Sequence, residues 1–229
     1  VTPPIRVLIV DDDVPTRVGI STILSSDPGI VVIGEADNGL DACTMAVELT
    51  PDLMVVDVQI PGIDGIETTR RVTGLGPTSP KVIVLTTFDV DEYVYGSLRA
   101  GASGFMLKRA PAEELIAAVH RVAKGDELLA PQRTTQLIGS HAVPRQRHAD
   151  IFMPPLTVRE ADVLALMARG LSNPEIGQRL GVSLETVRTH VKHVYMKCNA
   201  RDRAQAVIAA YESGLVQLTL TGDDESRGL

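Results

Sequence analysis

Residues 5–12 read IRVLIVDD, an aliphatic run that stops on two carboxylates, Asp11 and Asp12. The same pattern recurs three times. LMVV at 53–56 meets Asp57, KVIVL at 81–85 meets Thr86, and GFML at 104–107 meets Lys108. Short Val/Ile/Leu runs of this kind mark strands covered on both faces, as in parallel sheets. If the four are neighbouring parallel strands, their carboxyl ends open on one edge, where α/β sheets bind ligands. Three carboxylates, a hydroxyl and an ammonium then meet in one pocket. Crowded carboxylates repel each other unless a cation sits among them, and hard oxygen ligands favour Mg²⁺. Such a pocket suits the transfer of a phosphoryl group to an aspartate.

Working outward from these runs, strands are predicted at Ile5–Val10, Ile30–Gly34, Leu53–Asp57, Lys81–Thr86 and Gly104–Leu107. Helical periodicity fills the gaps near Thr16–Ser25, Gly39–Leu49, Gly65–Gly74 and Asp91–Ala100, and continues at Ala112–Lys124. Five β-α units predict a doubly wound α/β sheet. After the Pro61-Gly62 turn, Asp64 and Glu67 are spaced as an acidic capping box for the third helix.

The pattern breaks after Gly125. Residues 131–139 carry a possible short helix, followed by aperiodic sequence rich in Pro, His and Arg up to Pro154-Pro155, which reads as a linker. From Thr157, four helices fit into the next ~60 residues, a length typical of small helical units. Thr157 and Glu160 form a capping box, and Val163, Leu164, Leu166 and Met167 give an apolar stripe that Gly170 ends. Asn173-Pro174 is read as an N-cap followed by proline, opening a short helix to Leu180. Gly181 breaks it, Ser183 caps a helix to about Cys198, and a fourth covers about Arg201–Ser213. Two short helices around a glycine turn, the second basic, describe a helix-turn-helix. The division is therefore 1–125, a linker over 126–155, a helical domain over 156–216, and a polar tail over 217–229 expected to be disordered.

Composition agrees with two soluble modules. The 229 residues are 44% hydrophobic but only 3% aromatic, with no Trp, so both cores must be aliphatic. No apolar run approaches the ~18 residues of a membrane span, and no signal-peptide pattern opens the chain. Cys43 and Cys198 fall in different modules and read as packing residues, in keeping with a reducing cytoplasm. Residues 1–125 carry 17 acidic against 10 basic side chains, whereas the remainder balances at 12 against 12. Ser183–Arg203 is locally basic, with Arg188, Lys192, Lys197, Arg201 and Arg203 against Glu185 and Asp202. Two modules of different charge suggest different partners.

In chemical terms, Asp57 is the candidate nucleophile, and Asp11 and Asp12 the metal pair. Asp57 itself and the backbone carbonyl of Gln59 complete the expected Mg²⁺ ligands. Lys108 and Thr86 are placed to receive phosphoryl oxygens. Each residue alone is ordinary; their joint occurrence at four strand ends is not.

VLIVDDD, VVDVQIPGIDG, VLTTF and GASGFMLK together resemble the receiver domain of two-component response regulators over residues 5–125. The resemblance implies a flavodoxin-like strand order 2-1-3-4-5 and phosphorylation of Asp57 by a sensor histidine kinase with Mg²⁺. It also implies Thr86 as switch hydroxyl and Phe105 as switch aromatic. Gln59 and Phe88, two residues after Asp57 and Thr86, occupy positions that tune phosphoryl lifetime. Arg109-Ala110 departs from the usual pair after the lysine.

LTVREADVLALMARGLSNPEIGQRLGVSLETVRTHVKHVYMKCNARDRAQAV resembles the LuxR-type helix-turn-helix of the NarL/FixJ regulators. Helix 183–198 is then the recognition helix. At about 100° per residue, Arg188, Thr189 and Lys192 share one face while Val187, Val191 and Val194 point inward. Thr186, Arg188, Thr189, Lys192 and His193 are candidate contacts to double-stranded DNA, with Lys197 assigned to phosphate. His190 reads as packing, and Cys198 as a small substitute for leucine. Promoter half-sites imply a homodimer on activation. Phosphorylation is expected to free the recognition helix from the receiver. The protein is then no enzyme, apart from assisting its own phosphotransfer and dephosphorylation.

Two other readings stand beside this one. Aspartyl phosphatases of the haloacid dehalogenase type want Asp-x-Asp-x-Thr, but Pro15 follows Asp11-x-Asp13. A calcium loop from Asp11 lacks the required glycine and glutamate. A regulator controlled without phosphate is the remaining alternative.

Overall fold

The computed structural model describes residues 3–76, 79–87, 91–125, 134, 138 and 156–216. The first module alternates β1 (Ile5–Val10), α1 (Val14–Ser25), β2 (Ile30–Ala36), α2 (Gly39–Leu49), β3 (Leu53–Asp57), α3 (Gly65–Thr73), β4 (Lys81–Thr86), α4 (Asp91–Arg99), β5 (Gly104–Leu107) and α5 (Ala112–Lys124). The five strands form one parallel sheet ordered β2-β1-β3-β4-β5. Strand alternation sorts the core. Val7, Ile9, Leu53, Val55, Ile83 and Leu85 face α1 and α5, while Leu8, Val10, Met54, Val56, Val82, Val84 and Phe105 face α2, α3 and α4. Burying each such side chain stabilises the fold by roughly 1.5–3 kcal/mol, so a one-residue slip of a central strand is prohibitive.

β2 runs two residues past its predicted end at Gly34. A register shift between Val7 and Leu8 lets pairing continue to Val10↔Ala36. An edge strand tolerates this irregularity because only one side of it is hydrogen-bonded. The acidic capping box on α3 forms only by half. Asp64 accepts from the Glu67 N–H at 2.7 Å, but the Glu67 carboxylate turns away to pair with Arg70 and with Arg71 at 2.9 Å.

The second module consists of α6 (Val158–Ala168), α7 (Asn173–Leu180), α8 (Leu184–Lys197) and α9 (Arg203–Glu212). The Thr157–Glu160 capping box is present, and Val163, Leu164, Leu166 and Met167 are buried. The cap of α7 falls one residue earlier than predicted. Ser172 occupies it, its N–H and hydroxyl both donating to Glu175 at 2.7 and 2.6 Å. Asn173 is instead buried and accepts from the Arg203 guanidinium at 3.0 Å. Gly181 turns the chain between α7 and α8 with φ +66°, a conformation glycine adopts without penalty.

The short helix expected over 131–139 lies largely outside the described residues; Thr134 and Ile138 within it are helical and buried. The linker up to residue 155, apart from those two positions, and the tail from 217 fall outside them as well, as does Phe88. Among the described residues, no helix is long and apolar enough to cross a membrane.

Candidate functional site

Sheet order reverses between β1 and β3, and that crevice lies at their carboxyl ends, where α/β sheets take ligands. β1 delivers Asp11 and Asp12 there, and β3 delivers Asp57. Carboxylate oxygens of the three lie within 4.8 Å of one another. Asp11 and Asp57 are buried, whereas Asp12 is exposed. Lys108, past the end of β5, sets its Nζ 2.7 Å from Asp11 Oδ2 and 2.8 Å from Asp57 Oδ2. Its backbone N–H donates to the Thr86 carbonyl at 2.9 Å, holding the ends of β4 and β5 together. Thr86 is buried at the end of β4, and Phe105 is buried on β5 beside Val84.

Burial pushes the Asp57 carboxyl above its ordinary value, against the lowering effect of Lys108 and of the Gln59 backbone N–H. Burial also disfavours the Lys108 ammonium, yet its contacts with Asp11 and Asp57 outweigh that and raise its pKa. The two partners of one contact thus shift in ways that look opposed. Lys108 faces two carboxylates, whereas Asp57 shares a single ammonium with Asp11, so the cation is the better compensated. A cluster of three carboxylates with one ammonium remains short of positive charge. The donor set of clustered hard oxygens fits Mg²⁺.

Two neighbours that the sequence reading did not single out shape this pocket. Asp13 is the cap of α1, its carboxylate accepting from the Thr16 N–H at 2.9 Å and hydroxyl at 2.6 Å. The signal was present in Asp13-Val14-Pro15, a cap followed by proline in the first turn. Gly65 opens α3 against the end of β3. A Cβ there would lie 2.0 Å from the Asp57 carbonyl oxygen, so only glycine lets the helix approach this closely.

On α8, Val187, Val191 and Val194 are buried, while Thr186, Arg188, Thr189, Lys192 and His193 are exposed. Arg188 makes one ion pair, at 3.5 Å to Glu185, in open solvent. Two expectations change here. Lys197, assigned to phosphate, is bound to Glu160 at 2.6 Å and has only 28% of its side chain exposed. His193 Nδ1 lies 3.7 Å from the same carboxylate. Second, among the described residues the receiver does not cover the exposed face of α8 that carries Arg188, Thr189 and Lys192. Among the described residues the receiver holds the start of α9, its end through Arg99 and Glu212 at 3.3 Å, and Tyr195 of α8.

That contact is polar and specific. Asp202 caps α9 through the Gln205 N–H at 3.1 Å, and the other oxygen of its carboxylate accepts from the Ser103 hydroxyl at 2.6 Å. Lys81 Nζ lies 3.5 Å from Asp202 Oδ2 and also donates to the Arg201 carbonyl. Arg201 donates to the carbonyls of Pro80, at 3.0 Å, and Gly101. Gln205 Nε2 donates to the carbonyls of Leu98 and Ala102 at 3.0 and 2.9 Å. Tyr195, near the end of α8, donates to Gly125 at 3.2 Å. Composition predicted none of these partners.

An acidic trio with a paired lysine at the switch point of a 2-1-3-4-5 sheet, joined to a helix-turn-helix, defines a signal-receiving module coupled to a DNA-binding one. Comparisons with known proteins agree. Residues 7–120 match the response regulator receiver domain, and residues 154–210 match the bacterial regulatory proteins of the luxR family. The transcriptional regulatory protein YxjL of Bacillus subtilis is 39% identical over 214 residues, covering 93% of this chain and 98% of its own. LiaR of the same organism, also a transcriptional regulatory protein, is 38% identical over 93% of this chain and 99% of its own. The crystal structure of ChrA, a response regulator in a heme-sensing two-component system, covers 94% of this chain and all of its own, at 35% identity and a TM-score of 0.51. The chain belongs to the response regulators that join a receiver domain to a LuxR-type DNA-binding domain, and it is a regulator of transcription.

Proposed function

We propose that Asp57 accepts a phosphoryl group from a sensor histidine kinase in the cytoplasm, and that this modification controls DNA binding through the contact between the two domains. The observation that carries the reading is the Lys108 ammonium between Asp57 and Asp11 in a cluster of three carboxylates. An Asp57 carboxylate oxygen attacks phosphorus, and the bond from phosphorus to the kinase imidazole nitrogen breaks, its electron pair staying on nitrogen. Asp11, Asp12, Asp57 and the Gln59 carbonyl would hold Mg²⁺, which would supply positive charge to offset that of the transferring group. Lys108 moves from the carboxylate to one phosphoryl oxygen, and the Thr86 hydroxyl donates to another.

The product adds about −1.5 to −2 charge at Asp57. Thr86 ends β4, and the chain beyond it leads into α4, whose far end supplies the Leu98 carbonyl that Gln205 holds. Drawing Thr86 toward the phosphoryl group strains α4 and loosens its hold on α9, with Phe105 repacking behind it. Release lets two DNA-binding domains take up the spacing of paired half-sites as a homodimer. The test is labelling of the full chain with a small acyl-phosphate donor and Mg²⁺. Asp57→Asn is expected to abolish labelling and the gain in dimer-dependent DNA binding. Labelling at the wild-type level would remove Asp57 as the acceptor.

A further inference from the structure

We propose that Arg17 is a positioning residue for the metal-binding carboxylates, acting through the backbone carbonyl of Asp11. The identity of the cation, Mg²⁺, rests on the reading above; the positioning role does not depend on phosphotransfer.

β1 ends at Val10, so the sheet ladder stops just before the acidic pair. The Asp11 N–H still reaches the Ala36 carbonyl at 3.1 Å, and the Asp11 carboxylate accepts from the Asp13 N–H at 3.0 Å. The Asp11 carbonyl lies beyond the ladder and needs another partner. Arg17, one turn into α1, supplies it, with Nη1 at 2.6 Å. That carbonyl belongs to the peptide joining Asp11 to Asp12. Fixing its plane places the Asp12 N–Cα bond and so narrows the positions the Asp12 carboxylate can take beside that of Asp11.

The guanidinium is itself oriented by Glu35 near the end of β2, whose Oε2 lies 3.3 Å from Arg17 Nε. One planar fork thus ties β2 and α1 to the loop carrying the pair, with only 15% of the arginine side chain exposed. Glu35 also offsets the guanidinium charge, so the anchor does not cancel the negative field that draws a cation into the pocket. An open cleft lined by Arg17, Glu35, Asp37 and Asp41 borders this contact. Water entering there can take the place of a shortened side chain at the carbonyl, so loss of Arg17 loosens the pair without unfolding the domain.

The experiment is calorimetric titration of Mg²⁺ into the full chain, with thermal melting run alongside. Arg17→Ala is expected to raise the Mg²⁺ Kd by about tenfold or more, the scale of losing a group that orients a metal ligand, with little change in melting temperature. Arg17→Lys keeps one donor but cannot bridge to Glu35, and its Kd should fall between the other two. An unchanged Kd in Arg17→Ala overturns the proposal. Should Arg17→Ala fail to fold, a wild-type Kd in Arg17→Lys overturns it instead. Failure of Asp57 labelling beside an Arg17-dependent Mg²⁺ Kd would reject the phosphoacceptor reading and leave this one standing.

Discussion

Glu160 shows how much one side chain can carry. Its carboxylate closes the α6 capping box through the Thr157 N–H at 2.7 Å and holds Lys197 at 2.6 Å. The Lys197 hydrogen bond first, and then the Thr157 N–H, lower its pKa from 4.5 to about 2. Because the folded-state value is depressed, the stability it adds is present above pH 4.5 and is lost as pH falls through about 2. With Lys197 partly open to solvent, the pairing is worth about 1–2 kcal/mol. Glu160→Gln should therefore destabilise the DNA-binding domain at neutral pH by about that amount, with the difference vanishing in strong acid. Chemical denaturation at several pH values checks this; a gap that persists at low pH would rule out the carboxylate charge as its source. Thr157 and Glu160 were legible as a capping box because the signature is local. Lys197 as a partner was not, since it approaches from a different helix.

At the scale of the element, α8 separates its two jobs by face. Its valines bury inward, while Arg188, Thr189 and Lys192 stay exposed, as the helical period predicts. Arg188→Ala with Lys192→Ala should abolish specific DNA binding and flatten its salt dependence without affecting Asp57 labelling. Lys197→Ala should behave oppositely. It leaves Glu160 buried without its ammonium and is expected to cost about 2–3 kcal/mol of domain stability, somewhat less than a fully buried pair because the lysine is partly exposed. Operator titrations and melting curves on the two variants distinguish these roles. A lost salt slope with unchanged stability in Lys197→Ala would return that residue to the DNA interface. The period of a helix tells which residues share a face, not what a flexible side chain at its end will reach.

For the whole molecule, the informative fact is where the domains touch. Asp57, Thr86 and Lys108 lie at the carboxyl ends of the strands, whereas Lys81 opens β4 and Ser103 immediately precedes β5. The DNA-binding domain therefore grips the sheet edge opposite Asp57, and α4 links the two edges. Ser103→Ala with Arg201→Ala should open the contact. The expected results are a larger radius of gyration in solution scattering and severalfold tighter operator binding without phosphorylation. An unchanged radius would show that Ser103 and Arg201 are not what holds the domains together.

The strands, the helices, the acidic pocket at the strand ends and the helix-turn-helix were all readable from the sequence. Each rests on a short-range rule: apolar runs, helical period, caps, and the polar residue that follows a strand. Tertiary structure decided the rest. Arg17 bonds the Asp11 carbonyl, Lys197 bonds Glu160, and Ser103 meets Asp202 across 99 residues of chain. Long polar side chains have many acceptors within reach in an unfolded chain. Only the packed backbone, by burying some acceptors and leaving others without a partner, selects which one each side chain must satisfy.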